Sequence, residues 1–142
     1  MDVTTAAQFM SAIGGNNAAA IHLNGNINGT FTVGSNKTII GVCGATITGA
    51  INMNGVQNII FRNLKVVGLN CTDSPQDCSG GEDAIGVNGA AHHIWFDHLD
   101  VSNGSDGNPD MTQGADFITI SWTKFSYSSM RTDPLSGADG HR

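Results

Sequence analysis

The sequence predicts an all-β solenoid, a parallel β-helix with a short helix over its N-terminal end. Two observations carry that prediction, a self-similar strand pattern and a density of turn residues. Five segments share one shape: AIHLNG, TIIGVCG, NIIFRNLKVVG, HIWFDHLDVSNG and FITISWTKFS. With Ile21, Ile39, Ile59, Ile94 and Ile118 taken as equivalent, they recur in steps of 18, 20, 35 and 24 residues. Two positions further on stand Leu23, Gly41, Phe61, Phe96 and Ile120, so the apolar alternation of a strand mostly holds. Unequal steps near twenty fit coils that each stack on a neighbour. A β-sandwich would place strands about every 8–12 residues and join them by direct hairpins. Glycine supplies 19 of 142 residues, and Asn-Gly pairs recur at 24–25, 28–29, 54–55, 88–89 and 103–104. Such pairs provide the positive φ of tight turns.

The elements follow in order along one domain spanning residues 1–142. A cap helix is expected over about 3–13, started by Thr4 or Thr5 and ended by Gly14 or Gly15. Ala7, Phe9, Met10 and Ile13 form its apolar side. Coils occupy about 18–126, and the long step holds one insertion with the segment from Cys71 to Cys78. The tail over 127–142 contains turn residues and nothing apolar enough to act as a lid, so the C-terminal end is expected to be uncapped. An open coil end exposes strand edges, and a homo-oligomer formed through that end is the expected consequence.

Composition narrows the function classes. Twelve acids against six bases give a net charge of −6, and no basic cluster exists to displace the counterions of a nucleic acid. No apolar run reaches membrane length, and the chain passes from Met1 directly into polar residues, with no secretory signal. A carbohydrate-binding module without catalysis ranks last, because aromatics are only 6% and fall mostly at strand positions. Sequons occur at Asn28, Asn36, Asn70 and Asn103 and matter only in a secreted eukaryotic setting. Cys71 and Cys78 bracket TDSPQD, which a disulfide could staple in an oxidising compartment; two free thiols are the alternative. Cys43, within IIGVCGATI, reads as a small buried residue.

The acids are concentrated. Asp106 and Asp110 stand four apart in DGNPD, where Gly and Pro forbid a helix, and Asp83 stands in GEDAIGV. Two readings fit these residues alone: solvated turn aspartates, or hard oxygen ligands gathered for a divalent cation.

The stretch HHIWFDHLDVSNGSDGNPDMTQGADFITISWTKFS, from His92 to Ser126, resembles the signature region of the polysaccharide lyase family that includes pectate lyases. SNKTIIGVCGATITG, NIIFRNLKVVG and GGEDAIGV resemble its preceding coils, in the right order, so the resemblance covers nearly the whole chain. It implies a right-handed parallel β-helix, a secreted protein, and calcium-dependent β-elimination on polygalacturonate (pectate). It also implies that Asp83, Asp106 and Asp110 are calcium ligands. Some members carry a further acid two residues before the first aspartate. Here that position is Gly81, and Glu82 would face the other way on an extended segment, so weak calcium binding without substrate is expected.

Other candidates carry less. Asp97 and His98 suggest an oriented base, but the resemblance marks this segment as scaffold, so neither is assigned catalysis. Trp95 and Trp122 read as packing residues, and His92 and His93 as turn residues without a role. Asp116 reads as a turn residue leading into FITISW. The family's base is an arginine on a coil after the one ending in SWTKF, in a motif with Arg and Pro. Arg131 and Arg142 lie in a long loop outside any such motif, so no catalytic residue is assigned. The family's substrate-binding lysine after the last aspartate is replaced by Met111, Thr112 and Gln113, and Lys124 is no clear substitute. A fragment with weak or no lyase activity is expected, shortened naturally or artificially; Met1 set directly before the cap helix points to the second.

Overall fold

A computed structural model describes residues 1–69 and 83–127. Cys71, Cys78, Gly81, Glu82, Arg131 and Arg142 lie outside the described residues. The order is β1 (Asp2–Val3), α1 (Ala6–Ile13), β2 (Ala19–Thr32), β3 (Lys37–Asn54), β4 (Gln57–Arg62) and β5 (Lys65–Val67). There follow β6 (Ile85–Asn88), β7 (His92–Asp97), β8 (Asp100–Ser102), β9 (Pro109–Met111), β10 (Asp116–Ser121) and β11 (Lys124–Ser126).

One strand explains the architecture. Residues 37–40 of β3 pair with β4, residues 46–48 with β5 and residues 51–54 with β6, all in parallel. A single extended run can serve three separate strands of the next turn only if it bends around a common axis. The chain is a parallel β-helix with three faces. The first face stacks residues 19–24, residues 37–42, β4, β7 and β10. The second stacks residues 26–28, residues 46–48, β5, β8 and β11. The third stacks residues 30–32, residues 51–54, β6 and β9.

Inward positions hold the core. Ile39, Phe61 and Phe96 lie on one row of the first face, Ile47, Val66 and Val101 on one row of the second, and all are buried. Phe61 and Phe96 bring their rings to 6.0 Å across adjacent coils. Corners are taken by left-handed residues, which turn the strand without a hairpin. Cys43, Asn63, His98 and Trp122 stand at one corner with φ between 49° and 57°. Asn36, Asn58, His93 and Phe117 form a second such column, with φ between 50° and 62°. Asparagine suits this region; bulky side chains there are strained.

The register departs from the sequence expectation at one step. Lys37 is opposite Ile59 and Ile39 opposite Phe61, so Ile39 and Ile59 are not equivalent. From Ile21 the equivalent positions are Ile39, Phe61, Phe96 and Ile120, giving steps of 18, 22, 35 and 24. A slip of two residues preserves alternation, so apolar periodicity could not detect it. The slip concealed Lys37, a lysine in an inward position. Its Nζ donates to the carbonyls of Gly15, Asn17 and Ser35 at 2.7–2.8 Å, tying the segment after α1 to the coil. Burial pushes its pKa down from the usual lysine value.

The cap helix begins later than expected because Asp2 and Val3 pair with β2 as β1. Thr5 is the N-cap, in a reciprocal capping box with Gln8. Phe9 and Ile13 are buried, Phe9 edge-on to Phe31 at 5.0 Å. Met10 and Ala7, expected on the apolar side, face solvent, since Ala6 and Ala12 flank the buried pair. Cys43 is also exposed rather than buried, because it takes the left-handed corner of β3 and its side chain leaves the inward row.

Phe61→Ala would open a cavity between two coils. Urea unfolding should show a loss of about 3–5 kcal/mol. Met10→Ala, on the solvent side of α1, should change stability by less than about 0.5 kcal/mol.

Candidate metal and substrate site

The third face carries the acids. Asp83 stands immediately before the buried Ala84 and β6, and this junction is fastened on both sides. Ala84 and Ile85 donate to the carbonyls of Gly107 and Asn108 at 2.9 Å, and Ile51 donates to Ala84 O at 3.1 Å. The DGNPD loop therefore lies directly beside Asp83. Asn108 gives that loop its shape: its buried Oδ1 accepts from Gly104 N at 3.0 Å, and its Nδ2 donates to Ser126 O at 3.1 Å. Pro109 opens β9, which among the described residues pairs only with β6, and the first residue of a strand tolerates a missing N–H. Asp110 then falls opposite Gly86, which is itself opposite Asn52.

Two glycines keep this region open. A Cβ at Gly107 would stand 2.7 Å from Asp83 Oδ1. A Cβ at Gly86 would stand 3.2 Å from Asn52 Oδ1 and 3.9 Å from Asp83 Oδ2. The oxygens of Asp83 and Asn52 thus flank a place that any larger residue would fill. Asn52 was not singled out from the sequence; its only signal is the alternation INMN on the preceding coil.

Electrostatics join the three predicted aspartates. Burial, then the charge of Asp110, then that of Asp106 raise the Asp83 pKa from 3.8 to about 6. Asp110 Oδ2 also accepts from Thr112 Oγ1 at 3.3 Å. Among the described residues, no group of three or more His, Cys, Asp or Glu side chains is arranged as a finished metal cage. The donor set nonetheless fits a hard cation: carboxylate and amide oxygens, no soft ligand, and a field that resists full ionisation without a counter-charge.

The other candidates sit elsewhere. Asp97 lies on the first face, buried by its partners. Ser121 Oγ donates to its Oδ1 at 2.7 Å, His98 Nδ1 lies 2.8 Å from the same oxygen, and Arg62 Nε lies 3.1 Å from Oδ2. The serine bond, with help from His98 and Arg62, holds the Asp97 pKa below the ordinary carboxylate range against the opposing effect of burial. Ser121 contacts Asp97 directly and accepts from Trp95 Nε1 at 2.9 Å, so no serine–histidine relay exists here.

Trp95 and Trp122 are exposed, contrary to the packing role expected of them. Trp95 points outward from the first face, and Trp122 occupies a left-handed corner. His92 and His93 belong to β7 rather than to a free turn, with the left-handed kink at His93; their Nδ1 atoms lie 2.6 Å apart. Asp116 opens β10 and accepts from Phe117 N at 2.7 Å. Lys124 opens β11 on the second face, 3.9 Å from Asp100, away from Asp83.

The class these features define is a parallel β-helix with acids from successive coils on one face. The pectate lyase family model matches residues 2–139, and the chain belongs to that family. Pectate lyase plyB of Emericella nidulans is 36% identical over 133 residues, which cover 87% of this chain and 38% of that protein. The pectate trisaccharide-lyase of Thermotoga maritima is 39% identical over 92 residues, covering 64% of this chain and 25% of the relative. The chain therefore spans about a quarter to two-fifths of these relatives. A pectate lyase from Bacillus sp. N165, solved in complex with trigalacturonate, shares the fold with a TM-score of 0.68 at 22% identity. That match covers 93% of this chain and 51% of the other.

The raised Asp83 pKa has a defined consequence for the metal-free protein. A carboxyl whose pKa is higher folded than unfolded binds its proton more tightly in the native state. Its contribution is fully present below about pH 4 and declines as pH rises towards 6. Thermal melts in EDTA should show this decline, and Asp83→Asn should flatten it.

Proposed function

We propose that this chain provides the calcium- and substrate-binding face of a pectate lyase acting on polygalacturonate. Asp83, Asp106 and Asp110 are the calcium ligands in this reading, with Asn52 beside them and uronate carboxylates completing the shell. The observation that supports it is that Asp83, beside the DGNPD loop, has its pKa raised to about 6 by burial and then by the charges of Asp110 and Asp106. The family assignment adds the substrate class, and the relatives named above are themselves pectate lyases.

Calcium, when bound, would offset the substrate carboxylate and make the adjacent C–H more acidic. The residues of this chain hold the acids in place: Asn108 shapes the loop, Gly86 and Gly107 leave room, and the β6–β9 pairing sets Asp110 against Gly86. β-Elimination also needs a base for the proton α to the carboxylate and loss of the glycosidic oxygen from the neighbouring carbon. Arg62, the arginine among the described residues, is on the first face and paired with Asp97. Arg131 and Arg142 lie outside the described residues and outside the family's Arg and Pro motif. In this reading the full reaction is therefore ascribed to the longer protein, and weak or no turnover to this chain. A polymeric substrate too large to enter a cell favours a secreted protein.

Calorimetry should detect calcium binding, and Asp106→Ala or Asp110→Ala should weaken it by about tenfold or more. Trigalacturonate should tighten calcium binding in the parent chain. An absorbance assay for unsaturated product, at alkaline pH with calcium, should give little signal. Robust turnover that survives both Arg131→Ala and Arg142→Ala would contradict the placing of the base outside the residues of this chain.

A second reading is a homo-oligomer formed through β10 and β11, the last described strands, on which Phe117, Ile120 and Phe125 are exposed. Light scattering should show mass rising with concentration, and a constant monomer mass would contradict it.

A further inference from the structure

The described cations do not follow the acids. Lys37 is buried with its Nζ taken by three carbonyls. The remaining three, Arg62, Lys65 and Lys124, all stand at the corner where the first face turns into the second. Arg62 ends β4, Lys65 begins β5 and Lys124 begins β11. Lys65, Asp100 and Lys124 form one row across three coils, so a single carboxylate lies between two ammonium groups. With Asp97 against Arg62, the corner holds three cations and two acids, in a chain whose net charge is −6.

The same corner carries an aromatic platform. Trp122 is 83% exposed and lies 6.2 Å from His98 with a 26° interplanar angle. Its φ of 49° is a conformation that a bulky side chain adopts under strain. Asn63 holds the equivalent corner two coils earlier without that strain. Beside the indole lies a depression of about 300 Å³, whose lining includes Asn63, Lys65, His98 and Asp100. An apolar ring face, a half-paired ammonium and flanking hydrogen-bonding groups suit one sugar ring that bears a carboxylate.

We propose that this corner is a second, calcium-independent binding site for acidic oligosaccharides, separate from the aspartates of the third face. Trp122 stacks on a sugar face, and Lys65 and Lys124 attract the uronate carboxylates. The identity of the sugar rests on the functional reading above, whereas the corner's charge and aromatic geometry do not. Attraction of this kind, at an exposed site, is weak and falls with added salt. Such a site would hold a polyuronate chain against the outside of the coil while the third face engages another stretch of it.

The test is an NMR titration in EDTA with trigalacturonate as the probe, using a variant carrying Asp83→Ala, Asp106→Ala and Asp110→Ala. Amides around Asn63, His98 and Trp122 should shift with the ligand, and the shifts should shrink at high salt. Trp122→Asn places at this corner the residue type that Asn63 already provides, so folding is preserved. It should weaken binding about tenfold, the scale of one lost aromatic contact. Lys65→Gln should weaken it less, and maltotriose, a neutral trimer, should bind at least about tenfold more weakly. Absence of shifts at these amides, or equal binding by Trp122→Asn or by maltotriose, would overturn the proposal. If the parent chain still binds trigalacturonate with calcium, only this second site fails. If it binds under neither condition, the functional reading fails with it.

Discussion

Parallel pairing between successive coils is the constraint on which everything else in this protein depends. A coil has no sheet of its own; its backbone groups and its apolar row are satisfied only by the coil before and the coil after. β3 makes this plain, because its three stretches align β4, β5 and β6 at once. A one-residue slip in one pairing would carry the other two with it and turn outward residues into the core. The left-handed columns at Asn36 and Asn58, and at Cys43 and Asn63, fix where each bend occurs. Lys37 closes the arrangement at its start by holding the chain that leads from the cap helix into the first coil.

The same stacking creates the electrostatic character of the third face. Asp83 and Asp110 are 27 positions apart in sequence, yet the pairing of β6 with β9 makes them neighbours in charge. An ordinary surface would disperse such acids. Here the loop geometry set by Asn108, together with the missing side chains of Gly86 and Gly107, keeps them together and leaves room between them. Among the described residues, Arg62, Lys65 and Lys124 gather on a different corner and Lys37 is held by carbonyls, so none of them stands against Asp83. Among the described residues no cation pairs with the acids of this face, a physical basis for expecting a divalent cation there.

Much of this was legible in the sequence, for identifiable reasons. Strand alternation with Asn and Gly punctuation disclosed the solenoid, and Thr4 and Thr5 disclosed the helix start to within a few residues. Asp106 and Asp110 stood out because Gly107 and Pro109 forbid a helix, whereas Asp83 was reached through the resemblance of GEDAIGV to a pectate lyase coil. Lys37 was hidden since a two-residue slip leaves the alternation intact. Trp122 and Cys43 were misread because a left-handed corner inside an apolar run looks like another strand position. Asn52 was missed because its relevance depends on Gly86, whose neighbours belong to other coils.

The most direct measurement is the anomalous scattering from crystals grown with calcium and trigalacturonate. The account predicts one strong peak coordinated by carboxylate oxygens of Asp83, Asp106 and Asp110, with a uronate carboxylate on its open side. A peak elsewhere on the protein, with those three side chains unliganded, would contradict it.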